Sequence, residues 1–171
     1  GVSQSDNDVV VCGSQDNGTS IYKGLENEWL EWIGADGMEC LVHPLDYNLM
    51  VGSIQNGNKR RSTTGGYNSQ GINNHPNIVS LQWEAPVLYD PLDHFKLYTV
   101  GQTLHSSEDF GTSWKALHEF DEGAYQHLAK SENGQGDQKR PTSQKARWRI
   151  KIIEYLDDRL MSLLMAHRIS L

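Results

Sequence analysis

The feature that most constrains the fold is an internal repeat with a period of about 47 residues. In each copy, a short apolar strand runs into a polar turn near a glycine and then into a second strand. This period fits four short strands with their turns, and it is too long for helical repeats of roughly thirty-odd residues. Comparable stretches begin at Val9, Asn48 and Lys96, and the period is the 47-residue interval between Pro44 and Pro91.

Asn-Gly pairs mark the hairpins of the first two copies. Asn17-Gly18 and Asn56-Gly57 contain residue types that tolerate a positive φ, which two-residue hairpin turns require. We therefore expect both pairs to adopt the left-handed backbone conformation between antiparallel strands.

A Pro-Leu-Asp turn is repeated ahead of the second and third copies, with Pro44 and Pro91 at equivalent positions. The residues before these turns, 37–42 and 83–89, are predicted to be inner strands. Pro86 predicts a bulge or a sheet edge within the second of them, because proline cannot donate to a strand ladder. The chain is thus predicted to be all-β.

The C-terminal part of the sequence leaves two interpretations open. Residues 148–155 alternate between apolar and polar side chains, which favours a strand, but 148–165 also fits one amphipathic helix. Residues 130–145 contain little that can be buried, so we predict an exposed loop or insertion there. The whole chain, 1–171, is interpreted as a single region of one repeat architecture.

Composition excludes several classes of protein. With 15 Lys and Arg against 22 Asp and Glu, the net charge of −7 does not favour nucleic-acid binding. No apolar run reaches the roughly 18 residues of a membrane span, and residues 1–8 do not resemble a signal peptide. Two cysteines are too few for a disulfide scaffold or a cysteine-rich zinc site.

One short motif has several fixed positions. Ser107, Asp109, Gly111 and Trp114 follow the pattern S-x-D-x-G-x-x-W at the end of a predicted hairpin. Aspartate accepts hydrogen bonds from turn amides, and glycine permits a left-handed backbone. The tryptophan is expected to cover the neighbouring apolar layer. We therefore assign these four residues a structural role.

A degenerate copy of the motif occurs in the preceding repeat. Ser62 and Gly66 are retained, whereas Thr64 replaces the aspartate and Ser69 stands at the tryptophan position.

Together the repeat and the motif resemble the Asp-box (bacterial-neuraminidase-type) β-propellers, and they are most similar to sortilin-like and xyloglucanase-like secreted members. The resemblance implies four-stranded antiparallel blades arranged around an axis. At this period the chain would hold about three and a half to four blades. We expect it to be a portion of a larger propeller whose remaining blades lie in the same or a companion chain. A closed four-bladed ring is the alternative. The resemblance also implies an extracellular or cell-surface location.

The candidate residues for a binding site cluster in one segment. Trp29 and Trp32 could stack on a carbohydrate beside the acidic residues Glu31 and Asp36. In the alternative interpretation the tryptophans pack between strands and the acids belong to a solvated loop.

Other functional side chains show no recognisable arrangement. No pair of carboxylates is singled out for glycoside hydrolysis, and Arg60 and Arg61 do not make a convincing sialic-acid site. The sequence predicts no catalytic residue, no metal site and no cofactor. Cys12 and Cys40 are interpreted as small buried residues, with a disulfide between them left open.

Two functions follow from these observations. In the first, the chain is a non-catalytic propeller module that binds a protein or carbohydrate ligand or serves assembly or scaffolding. In the second, it is part of a secreted glycoside hydrolase, xyloglucanase-like or sialidase-like, that acts on polysaccharide. A fold alone does not choose between them.

Overall fold

A computed structural model describes residues 1–24, 28–73, 83, 85–90 and 92–120. The predictions for 130–145 and for 148–165 lie outside these residues, and so do Pro91 and Trp148. Within the described ranges the chain forms strands and one short 3-10 helix, as the all-β prediction requires.

Eleven strands follow one another along the described residues. They are β1 (Val9–Ser14), β2 (Gly18–Lys23), β3 (Trp29–Ile33), β4 (Gly37–His43), β5 (Asp46–Ile54), β6 (Lys59–Ser62), β7 (Gln70–Gly71), β8 (Val87–Tyr89), β9 (Leu97–Val100), β10 (Thr103–Ser107) and β11 (Lys115–Glu119). The 3-10 helix is Gln55–Gly57, between β5 and β6.

The strands form three antiparallel sheets in which neighbours in space are neighbours in sequence. Sheet 1 is β1-β2-β3, sheet 2 is β4-β5-β6-β7, and sheet 3 runs from β8 to β11 in the same way. Val2 bridges to Val10 and adds a first short segment beside β1. Sheet 1 packs on sheet 2 through β1 and β4, and sheet 2 packs on sheet 3 through β4 and β8.

Strand alternation builds the two cores between the sheets. Met50 and Val51 are adjacent on β5, and both are fully buried, but they belong to different apolar clusters. Because successive side chains of a strand point to opposite faces, Met50 packs toward sheet 1 and Val51 toward sheet 3. The central sheet is therefore buried on both faces. Its first cluster contains Val9, Val11, Ile21, Trp32, Ile33, Cys40, Val42 and Met50; its second contains Val51, Ile72, Val87, Leu97, Phe110 and Trp114.

The hairpin turns agree with the sequence in one case and differ in the other. Asn56 and Gly57 have φ values of 61° and 68°, which confirms the predicted left-handed pair. In the β1–β2 turn the positive φ values belong to Asp16 and Gly18, at 63° and 69°, and not to Asn17. The connection there has three residues, so the left-handed position moves one residue toward the N-terminus of the turn.

Two further expectations need correction. The strand predicted at 83–89 is only Val87–Tyr89 among the described residues, because Pro86 has no N–H to donate to the ladder. Cys12 is exposed and not buried, since alternation along β1 places it on the face of sheet 1 that is turned away from sheet 2. Cys12 and Cys40 are both free thiols.

Candidate functional site

The connections between strands divide into two ends of the sheets. In an antiparallel sheet that follows chain order, successive connections alternate between opposite ends. The β1–β2, β3–β4 and β5–β6 connections define one end, around Asp36, which we call the depression face. The β4–β5, β6–β7, β8–β9 and β10–β11 connections define the other, around Asp109, which we call the turn face. A site built from loops therefore belongs to one of these two faces.

The depression face contains an open depression of about 510 Å³. Glu31 and Asp36, two of the predicted candidates, are both in its lining. The complete lining is Asp16, Asn17, Gly18, Glu31, Gly34, Ala35, Asp36 and Gln55. The structure thus brings together the acidic half of the candidate set and adds Asp16 and Gln55, which come from the ends of two hairpins.

Asp36 joins the three connections that form the depression. Its Oδ1 accepts the amide N–H of Asp16 at 2.8 Å, and its own amide N–H donates to Gln55 Oε1 at 3.0 Å. Asp16 and Ala35 both have a positive φ, 63° and 71°. One oxygen of the Asp36 carboxylate is therefore occupied in holding the β1–β2 turn against the connection that precedes β4.

The two candidate tryptophans are not part of this depression. Trp32 is buried in the core between sheets 1 and 2, where its Nε1–H donates to the Asn68 carbonyl at 2.9 Å. Trp29 is 52% exposed, and it lies at the start of β3 against the ring of Tyr22, with centroids 5.5 Å apart. The predicted grouping of two tryptophans with two acids therefore separates into a buried residue, a surface residue and an acidic depression.

On the turn face, residues 107–114 form a turn that is closed by hydrogen bonds of two side chains. The Ser107 hydroxyl accepts the Gly111 amide N–H at 2.8 Å and donates to Asp109 Oδ1 at 2.8 Å. The Asp109 carboxylate accepts both the amide and the hydroxyl of Ser113, at 2.8 Å and 2.7 Å. Desolvation opposes ionisation of Asp109, but the hydrogen bonds from Ser113 and Ser107 outweigh it and lower the pKa of the carboxyl group.

Residues 62–69 form the corresponding turn of sheet 2, with a different acceptor. The Ser62 hydroxyl accepts the Gly66 amide N–H at 2.8 Å and donates to Asn68 Oδ1 at 2.8 Å. The same Asn68 oxygen accepts the Thr63 amide N–H at 3.1 Å. Asn68 therefore supplies the side-chain oxygen that Thr64 lacks. We did not identify Asn68 from the sequence, because it stands six residues after the serine and not two.

Each of these turns is also fastened to a neighbouring sheet. The 62–69 turn is held to sheet 1 by the hydrogen bond from Trp32 to the Asn68 carbonyl, and the 107–114 turn is held to sheet 2. Trp114 donates its Nε1–H to the Ile72 carbonyl at 2.6 Å. Arg61 donates from Nη1 to the Phe110 carbonyl at 3.1 Å and to Thr112 Oγ1 at 2.6 Å. These contacts join sheets 2 and 3 at their outer strands. Arg61 is thus occupied within the fold.

Arg60 is occupied in the same way. Its guanidinium donates to Ser69 Oγ at 2.6 Å and to the Ser69 carbonyl at 2.9 Å. Both arginines therefore serve the outer turns of the sheets, and the structure does not bring them together as an anion site.

Three basic side chains are buried between sheets 2 and 3. Lys59 donates to the Gly57 carbonyl at 2.8 Å, and burial lowers its pKa to about 7. Burial also lowers the pKa of His105. For His43, burial and the neighbouring His94 both lower the pKa. The sequence did not distinguish these residues from surface bases.

Among the residues that the structure describes, no three His, Cys, Asp or Glu side chains come together as metal ligands. In the same part of the chain, no helix has the length and apolar character to span a bilayer.

Comparison with known proteins gives similarity of structure only. No family model matches the chain, and no curated protein matches it in sequence. The crystal structure of an ancestral GH74 enzyme is similar, with a TM-score of 0.59 and 13% identity over 72% of this chain. YCF48 bound to D1 peptide has a TM-score of 0.49 and 12% identity over 68% of this chain. The chain spans 18% of the GH74 enzyme's length and 40% of that of YCF48. The three successive antiparallel sheets and the similarity to the GH74 enzyme identify the fold as part of a β-propeller.

Proposed function

We propose that this chain is a non-catalytic propeller module of a secreted or cell-surface protein, in which it binds a protein or carbohydrate ligand or serves assembly. The main support is the separation of the candidate residues. Asp36 uses a carboxylate oxygen to hold a turn, Trp32 is buried, and Trp29 lies at the other end of β3 from the depression. Among the described residues, the exposed aromatic platform facing two carboxylates that a polysaccharide hydrolase would use is not assembled.

Within this proposal the 107–114 turn is an Asp-box and the 62–69 turn is its degenerate copy, and both have a structural role. The hydrogen bonds of Ser107, Asp109 and Ser62 end on backbone and side chains of their own turns. Side chains that are engaged in this way are poorly placed to take part in chemistry on a ligand.

We further propose that additional blades, in the same or a companion chain, pack against sheet 1. The face of sheet 1 turned away from sheet 2 carries the exposed Cys12 and the 52% exposed Trp29. Sheet 2, by contrast, is covered on both faces. A propeller blade is normally packed between two others.

The alternative function is part of a secreted glycoside hydrolase. Two observations favour it: the similarity of fold to a GH74 enzyme, and the three acids Asp16, Glu31 and Asp36 in one depression. In this alternative the depression is one wall of a substrate cleft.

A glycan array followed by measurement of reducing-sugar release distinguishes the two functions. The binding module is expected to retain ligands without releasing sugar. Release that is abolished in Glu31→Gln and kept in the matched surface variant Glu28→Gln would establish the hydrolase instead. Immunodetection of the native protein in the culture medium or on intact cells tests its location, and retention inside the cells would reject the proposed one.

A further inference from the structure

Two neighbouring turns of the turn face present an exposed leucine at the same position of the repeat. Leu45 is 76% exposed and Leu92 is 85% exposed. Each follows the proline of a Pro-Leu-Asp turn, in the β4–β5 and β8–β9 connections. Single exposed leucines are ordinary, but a contiguous apolar patch on a protein surface marks an interaction site.

The two turns lie against each other. His43, at the end of β4, has its ring centroid 4.8 Å from that of Phe95 and 5.8 Å from that of His94. His43 also accepts the amide N–H of Leu45 on Nδ1 at 3.2 Å. Phe95 is itself 51% exposed. Leu45, Leu92 and Phe95 therefore lie exposed on two adjoining turns, and we call these three residues the leucine patch.

Short hydrogen bonds hold the backbone of both turns. Asp90 Oδ1 accepts the Leu92 amide N–H at 2.8 Å, and Asp93 Oδ1 accepts the Phe95 amide N–H at 3.1 Å. In the other turn Asp46 Oδ1 accepts the Asn48 amide N–H at 2.9 Å. The apolar side chains are thus presented on ordered backbone, which reduces the entropy that a ligand would have to remove on binding.

The same hydrogen bonds place carboxylates beside the leucine patch. Asp46 directly follows Leu45, and Asp93 lies between Leu92 and Phe95 in the sequence; both aspartates are exposed. Glu108 is on the same face, where it forms an ion pair with Lys96 at 3.0 Å. Because this pair is neutral as a whole, the net negative charge at the border of the patch comes from Asp46 and Asp93.

This border decides which partner fits. The chain itself has a net charge of −7, so a second copy would bring more negative charge to the patch. Membrane surfaces with anionic lipids would be repelled for the same reason. A peptide segment that alternates apolar and basic side chains would bury the leucines and place its charges against the carboxylates.

We propose that the leucine patch binds a segment of a partner protein that carries both apolar and basic side chains. This inference rests on the proposed function as a binding module, and it names the class of ligand and the face that binds it. The depression face takes no part in this interaction.

Fluorescence anisotropy of the full chain with labelled synthetic peptides of about twelve residues tests the proposal. Three sequences are compared: alternating Lys-Leu, alternating Lys-Ser and alternating Glu-Leu. The Lys-Leu peptide is expected to bind at least about tenfold more tightly than either of the others, because it alone supplies both apolar side chains for the leucines and basic side chains for the carboxylates.

Matched variants locate the site. Leu45→Ser combined with Leu92→Ser is expected to weaken Lys-Leu binding about tenfold. Leu30→Ser, which removes an exposed leucine from sheet 1, should change it less than about twofold. Asp46→Asn with Asp93→Asn keeps a side-chain oxygen for each turn and removes the charge, so binding should weaken and become less dependent on salt. Asp16→Asn, on the depression face, is the control for charge.

Several results would overturn the proposal. Equal binding of the Lys-Ser peptide, or unchanged binding in the double leucine variant, would show attraction by charge alone. Absence of peptide binding by a chain with a normal β-sheet circular dichroism spectrum would also reject it. If that chain still retains ligands on a glycan array without releasing sugar, the proposed function stands and only the leucine patch falls. If it releases sugar in a way that Glu31→Gln abolishes, the proposed function fails as well.

Discussion

Replacement of Lys59 by methionine is expected to stabilise the fold and to remove a specific dependence of stability on pH. Lys59 is 2% exposed at the start of β6, and the Gly57 carbonyl accepts its one side-chain hydrogen bond, at 2.8 Å. Burial lowers its pKa from 10.5 to about 7. Methionine has a similar length and no charge, so Lys59→Met removes the desolvation of the ammonium group while it keeps most of the packing.

The magnitude follows from the shift of the pKa. A pKa lowered from 10.5 to about 7 corresponds to roughly 5 kcal/mol of folding free energy at pH 7. The variant also loses the hydrogen bond to the buried Gly57 carbonyl, which destabilises it by roughly 1–3 kcal/mol. We therefore expect Lys59→Met to be more stable than the wild type by roughly 2–4 kcal/mol at pH 7.

The sign of the pH dependence is also determined. Between pH 7 and 10.5 the unfolded chain holds a proton on Lys59 that the folded chain has released, so stability rises with pH by about 1.4 kcal/mol per unit. Below pH 7 both states are protonated, and the contribution of Lys59 is constant. The advantage of the methionine variant should thus be constant below pH 7 and fall as the pH rises. Near pH 10.5 it should reverse, leaving the variant less stable by roughly 1–3 kcal/mol because only the lost hydrogen bond remains.

Urea unfolding of both proteins at several pH values between about 6 and 10.5 measures this difference. Contributions of the other titrating groups cancel when the two proteins are compared. Lys115→Met, at an exposed position of β11, is the matched control and should follow the wild type. A stability difference between Lys59→Met and the wild type that stays constant from pH 7 to 10.5 would refute the reasoning, since it would show that the folded chain keeps the proton.

Three further predictions concern the turns and the thiols. Asp109→Ala should lower the free energy of unfolding by roughly 1–2 kcal/mol in thermal or urea denaturation, with no change in ligand specificity, because turn hydrogen bonds are lost; altered specificity at unchanged stability would contradict this. Gly66→Ala should cost roughly 2–4 kcal/mol, because φ is +92° and a new Cβ would collide with the side chain of the neighbouring sheet. Gly71→Ala, which meets no atom within 4 Å, is its control, and equal effects would disprove the steric argument. Cys12 is exposed and should react rapidly with a thiol reagent in the folded chain, whereas Cys40 is buried with a raised pKa and should react only on unfolding. If neither cysteine reacts in the folded chain, and neither reacts after unfolding without reductant, the two form a disulfide and the prediction is wrong.

The fold could be predicted from the sequence because its determinants are local and repeated. Alternation of apolar side chains identifies the strands, and a pair such as Asn56-Gly57 identifies a turn without knowledge of the rest of the chain. In β5 the apolar residues are continuous instead, with Met50 beside Val51, because this strand is buried on both sides. Errors arose where a neighbouring segment decides the geometry. The exposure of Cys12, for example, depends on which face of sheet 1 is covered.

The candidate site could be predicted only in part, because proximity in sequence does not give direction in space. Trp29, Glu31 and Trp32 lie within four positions of β3, yet they point to an open surface, to the depression and into the core. Asn68 and Arg61 were missed for a related reason. Asn68 belongs to the same turn as Ser62 but stands at a different spacing from it than the motif aspartate. Arg61 binds the turn of the next sheet, which no motif within one repeat contains.

The repeated residues themselves separate into those that the fold explains and those that it does not. In the β4–β5 turn Pro44 is buried, and its conformational restriction accounts for its recurrence. The next residue, Leu45, recurs as Leu92, but both side chains lie in solvent, where packing gives no reason for leucine. Repetition of an exposed apolar side chain therefore requires an explanation outside the fold, and contact with a partner supplies one. For this reason we place the recognition surface on the turn face and not in the acidic depression, where Asp36 already serves the fold.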